Sequence, residues 1–237
     1  MAMHNVLLPS LTGLLAGAAH VLSGPDHLAA IAPLAVVQRR QTWRLGFLWG
    51  LGHSGGVWIL ALLAMVFREI LPTDLLSAWG ERLVGFVLVG IGLLGLRRLF
   101  GTRVHSHVHE HGGLRHVHVH LHAENSDHRH PAEHTHSHIA LGVGALHGLA
   151  GASHLLGVLP ALLLPTRGAA GAYVISFGLG SIVAMTAFSW AMGMIAHHLQ
   201  SWGDRVFRLL LGGCCALSIA IGCYWCATTL PAPMIST

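Results

Sequence analysis

Six stretches of this chain, near residues 7–37, 45–67, 80–99, 139–164, 170–195 and 204–227, carry almost no charge and are dense in Leu, Val, Ala and Gly. Each reaches the roughly 20 residues needed to cross a hydrocarbon core about 30 Å thick. In lipid a spanning segment must satisfy its own backbone, which leaves α-helices or closed barrels. Barrel strands alternate apolar and polar residues, and these stretches do not. The expected fold is therefore an all-α integral membrane protein with six transmembrane helices. Composition agrees: 9% of the 237 residues are charged, against about 25% in a soluble domain. The first stretch is too long for one straight crossing, and Gly24-Pro25 is the expected break. It lacks the positive n-region of a secretory signal, so it is expected to belong to the fold.

All thirteen basic residues other than histidine are arginine. Arg39, Arg40 and Arg44 follow the first span; Arg97, Arg98, Arg103, Arg115 and Arg129 follow the third; Arg205 and Arg208 open the sixth. Only Arg68, Arg82 and Arg167 fall on the other side. The positive-inside bias predicts both termini outside and the long central loop in the cytoplasm, in a bacterial inner membrane. The net charge of +4 reflects this topology and gives no reason to expect nucleic acid as a partner.

The chain also repeats itself. GAAHVLSGPDHLAAIAPLA (17–35) matches GALHGLAGASHLLGVLPAL (144–162) at an offset of 127. His20 pairs with His147, His27 with His154, Pro33 with Pro160 and Asp26 with Ser153. WGLGHS (49–54) falls opposite SFGLGS (176–181), which sets His53 against Gly180 on the same offset, and WGERL (79–83) matches WGDRV (202–206). Three spans per half make the second half insert upside down. Many secondary transporters are inverted repeats of this kind, with a mid-membrane site at the repeat interface. The expected organisation is residues 1–102 as one three-helix repeat, 103–138 as a His-rich cytoplasmic loop and 139–237 as the second repeat.

The repeated motifs contain the candidate chemistry. His20 and His27, like His147 and His154, are seven residues apart, close to two helical turns. Ionisable groups inside a bilayer are costly and mark a site or pathway by default. Imidazole suits first-row divalent metals, and neutral imidazole binds metal where the protonated form cannot. Asp26, the only acidic residue deep in a span, sits where a new half-helix would start after Pro25 and adds one negative charge. Carbonyls freed at Gly24-Pro25 are further expected donors. His53, among Gly50, Gly52, Gly55 and Gly56, is either an asymmetric ligand or a hydrogen-bonding interface residue. Against all this stands packing, in which these histidines only bond between helices.

HVLSGPDHLAA followed by LGHS resembles the nickel/cobalt transporter family, including nickel/cobalt efflux permeases and urease-accessory-type membrane proteins. The matching residues are His20, Asp26, His27, His53 and Ser54. The resemblance implies that they bind and pass Ni(II) or Co(II). Two departures stand out: five residues separate His20 from Asp26 where the family signature has four, and the spans number six where many importers have eight.

Residues 103–138 hold thirteen of the 21 histidines. His105, His107, His109 and His111, then His116, His118, His120 and His122, alternate strictly. The composition suggests a disordered, weakly selective metal-binding tract with no strand partner. After removal of Met1, His4 would be third and could help hold Ni(II) or Cu(II) in a square plane. Trp79 with Arg82, and Trp202 with Arg205, are expected at the two interfaces, the arginines snorkelling.

Cys214, Cys215, Cys223 and Cys226 crowd the sixth span, the last two as CYWC. They are either small packing residues or a redox pair. No Walker, kinase or Ser-His-Asp pattern occurs, so the chain is expected to be no enzyme and to hold no permanent cofactor. The functional expectation is a secondary transporter of Ni(II) or Co(II), outward, through His20, Asp26, His27, His53, His147 and His154, with Ser54 and Ser153 as auxiliary donors. An uptake permease, a thiol-disulfide conductor and a receptor without flux are the alternatives. The expected partners are the metal ions, the lipid bilayer, and a metallochaperone or second copy of the chain.

Overall fold

The computed structural model describes residues 4–38, 41–66, 73–101, 103–111, 114–122, 135–150 and 152–229. In chain order these form α1 (His4–Ser23), α2 (Pro25–Val37), α3 (Thr42–Val66), α4 (Thr73–Gly101), β1 (Arg103–His111), β2 (Leu114–His122), α5 (Thr135–Leu149), α6 (Ala152–Leu163), α7 (Arg167–Gln200) and α8 (Asp204–Thr228).

Five of these helices are long and apolar enough to cross a membrane: α1, α3, α4, α7 and α8. The expected first span breaks at Gly24-Pro25, with Pro25 opening α2. This is the position at which a missing N–H costs nothing. The expected fourth span is also split, into α5 and α6, each too short to cross alone. His20 and His27 therefore do not share one helix face. They lie on either side of the break, and so do His147 and His154.

Lipid-like packing governs the bundle. Leu7, Leu11, Leu15, Leu62, Phe86, Leu94, Val183 and Leu209 point outward, as in a bundle whose solvent is hydrocarbon. Small residues and hydroxyls occupy the interior, where they bring helices close and bond across them. Ser54 on α3 donates to the Gly178 carbonyl at 2.8 Å, Ser189 on α7 to Thr42 at 2.6 Å, and Ser218 on α8 to Leu88 at 2.8 Å. Trp58 Nε1 donates to Val174 at 3.0 Å.

The helix pairs follow a pattern. Gly13 and Gly17 of α1 face the backbone of Tyr173 and Phe177 on α7, so these helices run parallel. Gly144 and Gly148 of α5 face the backbone of Trp49 and His53 on α3, also in parallel. A side chain at any of the four would strike a carbonyl oxygen of the partner helix. α3 and α7 are antiparallel, Gly46 meeting Met185 and Ser54 meeting Gly178. So are α4 and α8, with Gly85 against Gly222 and Gly92 against Cys215.

These contacts correct one correspondence. Gly144 meets Trp49 as Gly17 meets Phe177, and Gly52 meets Leu141 as Gly180 meets Leu14. α3 and α7 thus match at an offset of 128, one more than α1 and α5. The counterpart of His53 is Ser181, not Gly180.

One further expectation changes. The all-α expectation holds across eight helices among the described residues, but the His-rich tract, expected to have no strand partner, contains an antiparallel hairpin. Alternating His and Val suit a strand, and each strand is the other's partner. The register sets His105 opposite His120, His107 opposite His118 and His109 opposite His116. Gly112-Gly113 between the strands is a composition that favours a two-residue link.

At the helix ends, Arg82 lies over the Trp79 ring at 4.7 Å and donates to the Thr229 carbonyl at the end of α8. Arg208, rather than Arg205, reaches the Leu99 carbonyl near the end of α4, at 3.3 Å. Each arginine answers the exposed carbonyls at a helix C-terminus, which attract cations.

Candidate metal site

Four helices deliver the site. His20 comes from the last turn of α1, Asp26 and His27 from the first turn of α2, His53 from mid-α3 and His147 from the last turn of α5. The positive end of α2 suits the Asp26 carboxylate. Asp26, His27, His53 and His147 are at most 7% exposed; His20 is only partly buried.

His27 is the hub. Its ring centroid lies 4.7 Å from that of His20, 4.9 Å from His53 and 4.6 Å from His147. Asp26 Oδ1 is 3.1 Å from His27 Nδ1, and Oδ2 is 3.3 Å from His147 Nε2. Two overlapping donor triads result, His20–His27–His53 and Asp26–His27–His147. Within each, one donor atom per residue lies within 4.8 Å of the others. Donors bound to one ion at about 2.1 Å lie at most about 4.2 Å apart. Small side-chain rotations therefore suffice to close either triad on a divalent ion.

Gly24 has a role that the sequence did not reveal. Its backbone is extended (φ −83°, ψ 103°), a conformation open to any residue. What it provides is space. A Cβ there would collide with His27 Nδ1 and lie 2.9 Å from His27 Cε1 and 3.0 Å from Asp26 Oδ1. The glycine lets the backbone pass directly beneath two candidate ligands.

Other expected donors fare differently. The His20 carbonyl accepts from Gly24 N at 3.0 Å and the Gly24 carbonyl from Leu28 N at 3.4 Å, which closes α1 on one side of the break and opens α2 on the other. The Ser54 hydroxyl is committed to Gly178. His154 falls on α6 and Ser153 beside it, but their side chains, like those of His4 and the hairpin histidines, lie outside the described residues. The square-planar N-terminal site also lies outside them. Cys214, Cys215, Cys223 and Cys226 are free thiols. Cys215 packs on Gly92 and Gly95, and Cys226 on Gly85.

Comparison with known proteins gives three relatives. The chain is 32% identical over 92% of its length to Chloroplast protein FOR GROWTH AND FERTILITY 2 of Arabidopsis thaliana. It is 33% identical over 89% to Chloroplast protein FOR GROWTH AND FERTILITY 1 of the same plant. Each match covers 56% of the relative, so the chain spans about half the length of these proteins. It is also 29% identical to the urease accessory protein UreH of Bacillus sp. (strain TB-90), over 79% of this chain and 78% of that protein. No protein-family model and no solved structure matches.

Proposed function

We propose that this protein is a secondary transporter of a divalent transition-metal ion, Ni(II) or Co(II), moving it outward through the His/Asp cluster. The observation that carries the reading is the convergence of four imidazoles and one carboxylate, from four helices, inside an apolar bundle. Packing alone does not call for it: five polar groups brought out of water at one point are expensive unless they serve a site or pathway. Imidazole predominance favours a borderline first-row ion over sodium, magnesium or calcium. Likeness to a urease accessory protein supports nickel in particular. The chloroplast relatives carry no metal in their names, so beyond that likeness the donor set of this chain is the argument.

In this reading α5 and α6 together make the fourth of six crossings, and each half inserts as an inverted three-helix unit. The exchange of partners, α1 with α7 and α3 with α5, supports it. The arginine bias supports a cytoplasmic hairpin that gathers metal for the membrane site. The bound ion is cargo, and no resident cofactor or catalysis is invoked.

Nickel and cobalt content, measured by mass spectrometry in cells expressing the wild type or His20→Ala/His27→Ala, tests the proposal. Lower content with the wild type means export, and higher content means uptake through the same site. Equal content for every divalent metal tried ends the transport reading.

A further inference from the structure

Two fully buried aromatics stand on either side of the histidine cluster. Trp49 and Phe177 are each 1% exposed and are structural counterparts, Trp49 facing Gly144 as Phe177 faces Gly17. Because α3 and α7 run antiparallel, with Gly50 at Ile182 and Ser54 at Gly178, Phe177 lies level with residue 55 of α3. Parallel packing of α1 on α7 and of α5 on α3 brings His20 and His147 to the level of residues 52–53. Both histidines therefore share one layer with His53. Trp49 lies about one turn to one side of that layer and Phe177 about one turn to the other, together spanning about 9 Å.

Each ring also rests on a different end of the donor set. Phe177 lies 5.4 Å from His20, and Trp49 lies 6.5 Å from His147. Behind them the supports differ. Gly157 of α6 gives Phe177 its room, since a Cβ there would lie 2.7 Å from the ring edge. Trp49 belongs to the core cluster that contains Ala29, Ala30 and Ile31 of α2. The two short half-helices thus back the two rings. Trp49 Nε1 is moreover buried with no hydrogen-bond partner among the described residues. A ring held only for packing rarely leaves that donor unmet.

We propose that Trp49 and Phe177 are the two gates of the transport cycle, each closing the cluster from one membrane face. This rests on the transport reading above. In it, alternating access consists of moving one ring at a time with its half-helix, α2 for Trp49 and α6 for Phe177. Both rings are closed here, which makes this an occluded state. Neither ring contributes a metal donor, so each acts on passage and leaves the ligand set intact.

The test reads accessibility and needs no metal movement. In full-length protein with all four native cysteines changed to alanine, Ser181→Cys is the reporter. Ser181 is buried at the histidine level, its hydroxyl on the Phe177 and Gly17 carbonyls. A charged, membrane-impermeant methanethiosulfonate is added to right-side-out or inside-out vesicles, and labelling is followed by mass. With both rings present, labelling should be slow from either face. Trp49→Ala should accelerate it at least tenfold from the face bearing the α3 N-terminus only, and Phe177→Ala from the opposite face only. Trp49→Leu and Phe177→Val, which disturb the core less, should repeat the pattern with smaller amplitude. Acceleration from the same face by both substitutions, or from neither face in all four variants, overturns the proposal. If metal content in cells is unaffected by the His20→Ala/His27→Ala pair while labelling still follows the two faces, the transport reading fails and the two-sided closure remains.

Discussion

Replacing Gly24 by alanine separates space from backbone freedom at the cluster. Alanine adopts φ −83°, ψ 103° without strain, so α2 should form as before. The new Cβ would lie 2.9 Å from His27 Cε1 and nearer still to Nδ1. To regain an ordinary contact of 3.4 Å, the ring must retreat by at least about 0.5 Å at Cε1. Metal–ligand distances tolerate about 0.2 Å, and His27 belongs to both triads, so neither triad should close properly. Losing one ligand is expected to weaken Ni(II) binding about 100-fold, or about 2.8 kcal/mol. Titration calorimetry on detergent-purified protein measures this, with Gly55→Ala as the control. Gly55 is two residues beyond His53, and nothing lies within 4 Å of an added Cβ, so its Kd should stay within twofold. An unchanged Kd for Gly24→Ala would refute the spatial argument. So would a Gly24→Ala protein that fails to fold, because the obstacle is a movable side chain rather than backbone.

Ser54→Ala should lower the thermal stability of the bundle by about 0.6–1.7 kcal/mol, the range for hydrogen bonds between membrane helices, and leave the Ni(II) Kd within twofold, since its hydroxyl serves Gly178. Metal affinity should fall as pH falls, because bound imidazole must be neutral. Below the pH at which it protonates, each coordinating histidine must release a proton on binding and adds about tenfold per pH unit, so filter binding of radioactive nickel should fall more steeply for the wild type than for His53→Ala. Replacing Cys214, Cys215, Cys223 and Cys226 by alanine should leave metal flux within twofold, as measured in vesicles. A complete loss would restore the thiol-disulfide reading.

Much of the site was legible because the repeat carries its own numbering. The offset of 127 links His20 to His147, and the Gly24-Pro25 break follows from proline chemistry. One extra residue between α5 and α7, relative to α1 and α3, shifts the second helix pair to 128; WGLG (49–52) against FGLG (177–180) carries the same shift, and the glycine contacts fix it. What the sequence concealed depends on contacts between helices. Gly24 looked like a helix breaker because its collision partner, His27, is folded back over it. The hairpin is hard to see in the sequence because the partner of the alternating strand lies in the same tract rather than elsewhere in the chain.

The halves repeat the scaffold more faithfully than the donors. His20 and His147 are both kept, but Asp26 has Ser153 as its counterpart and His53 has Ser181. If binding were the only demand, a second carboxylate beside the first would deepen the site. It would also leave two negative charges together in an apolar bundle whenever the ion departed, a state that favours holding the ion or binding protons instead. With one carboxylate the vacant cluster holds a single acidic group, Asp26, which lies 3.1 Å from His27 Nδ1 and 3.3 Å from His147 Nε2. The symmetric feature is then the pair of buried aromatics, Trp49 and Phe177. In this reading the symmetry serves opening to two faces, and the asymmetry keeps the ion releasable. Ser181→Asp, at a buried position level with His53, is the substitution that separates them. It should tighten Ni(II) binding at equilibrium and slow flux, and faster flux from a tighter site would break the argument.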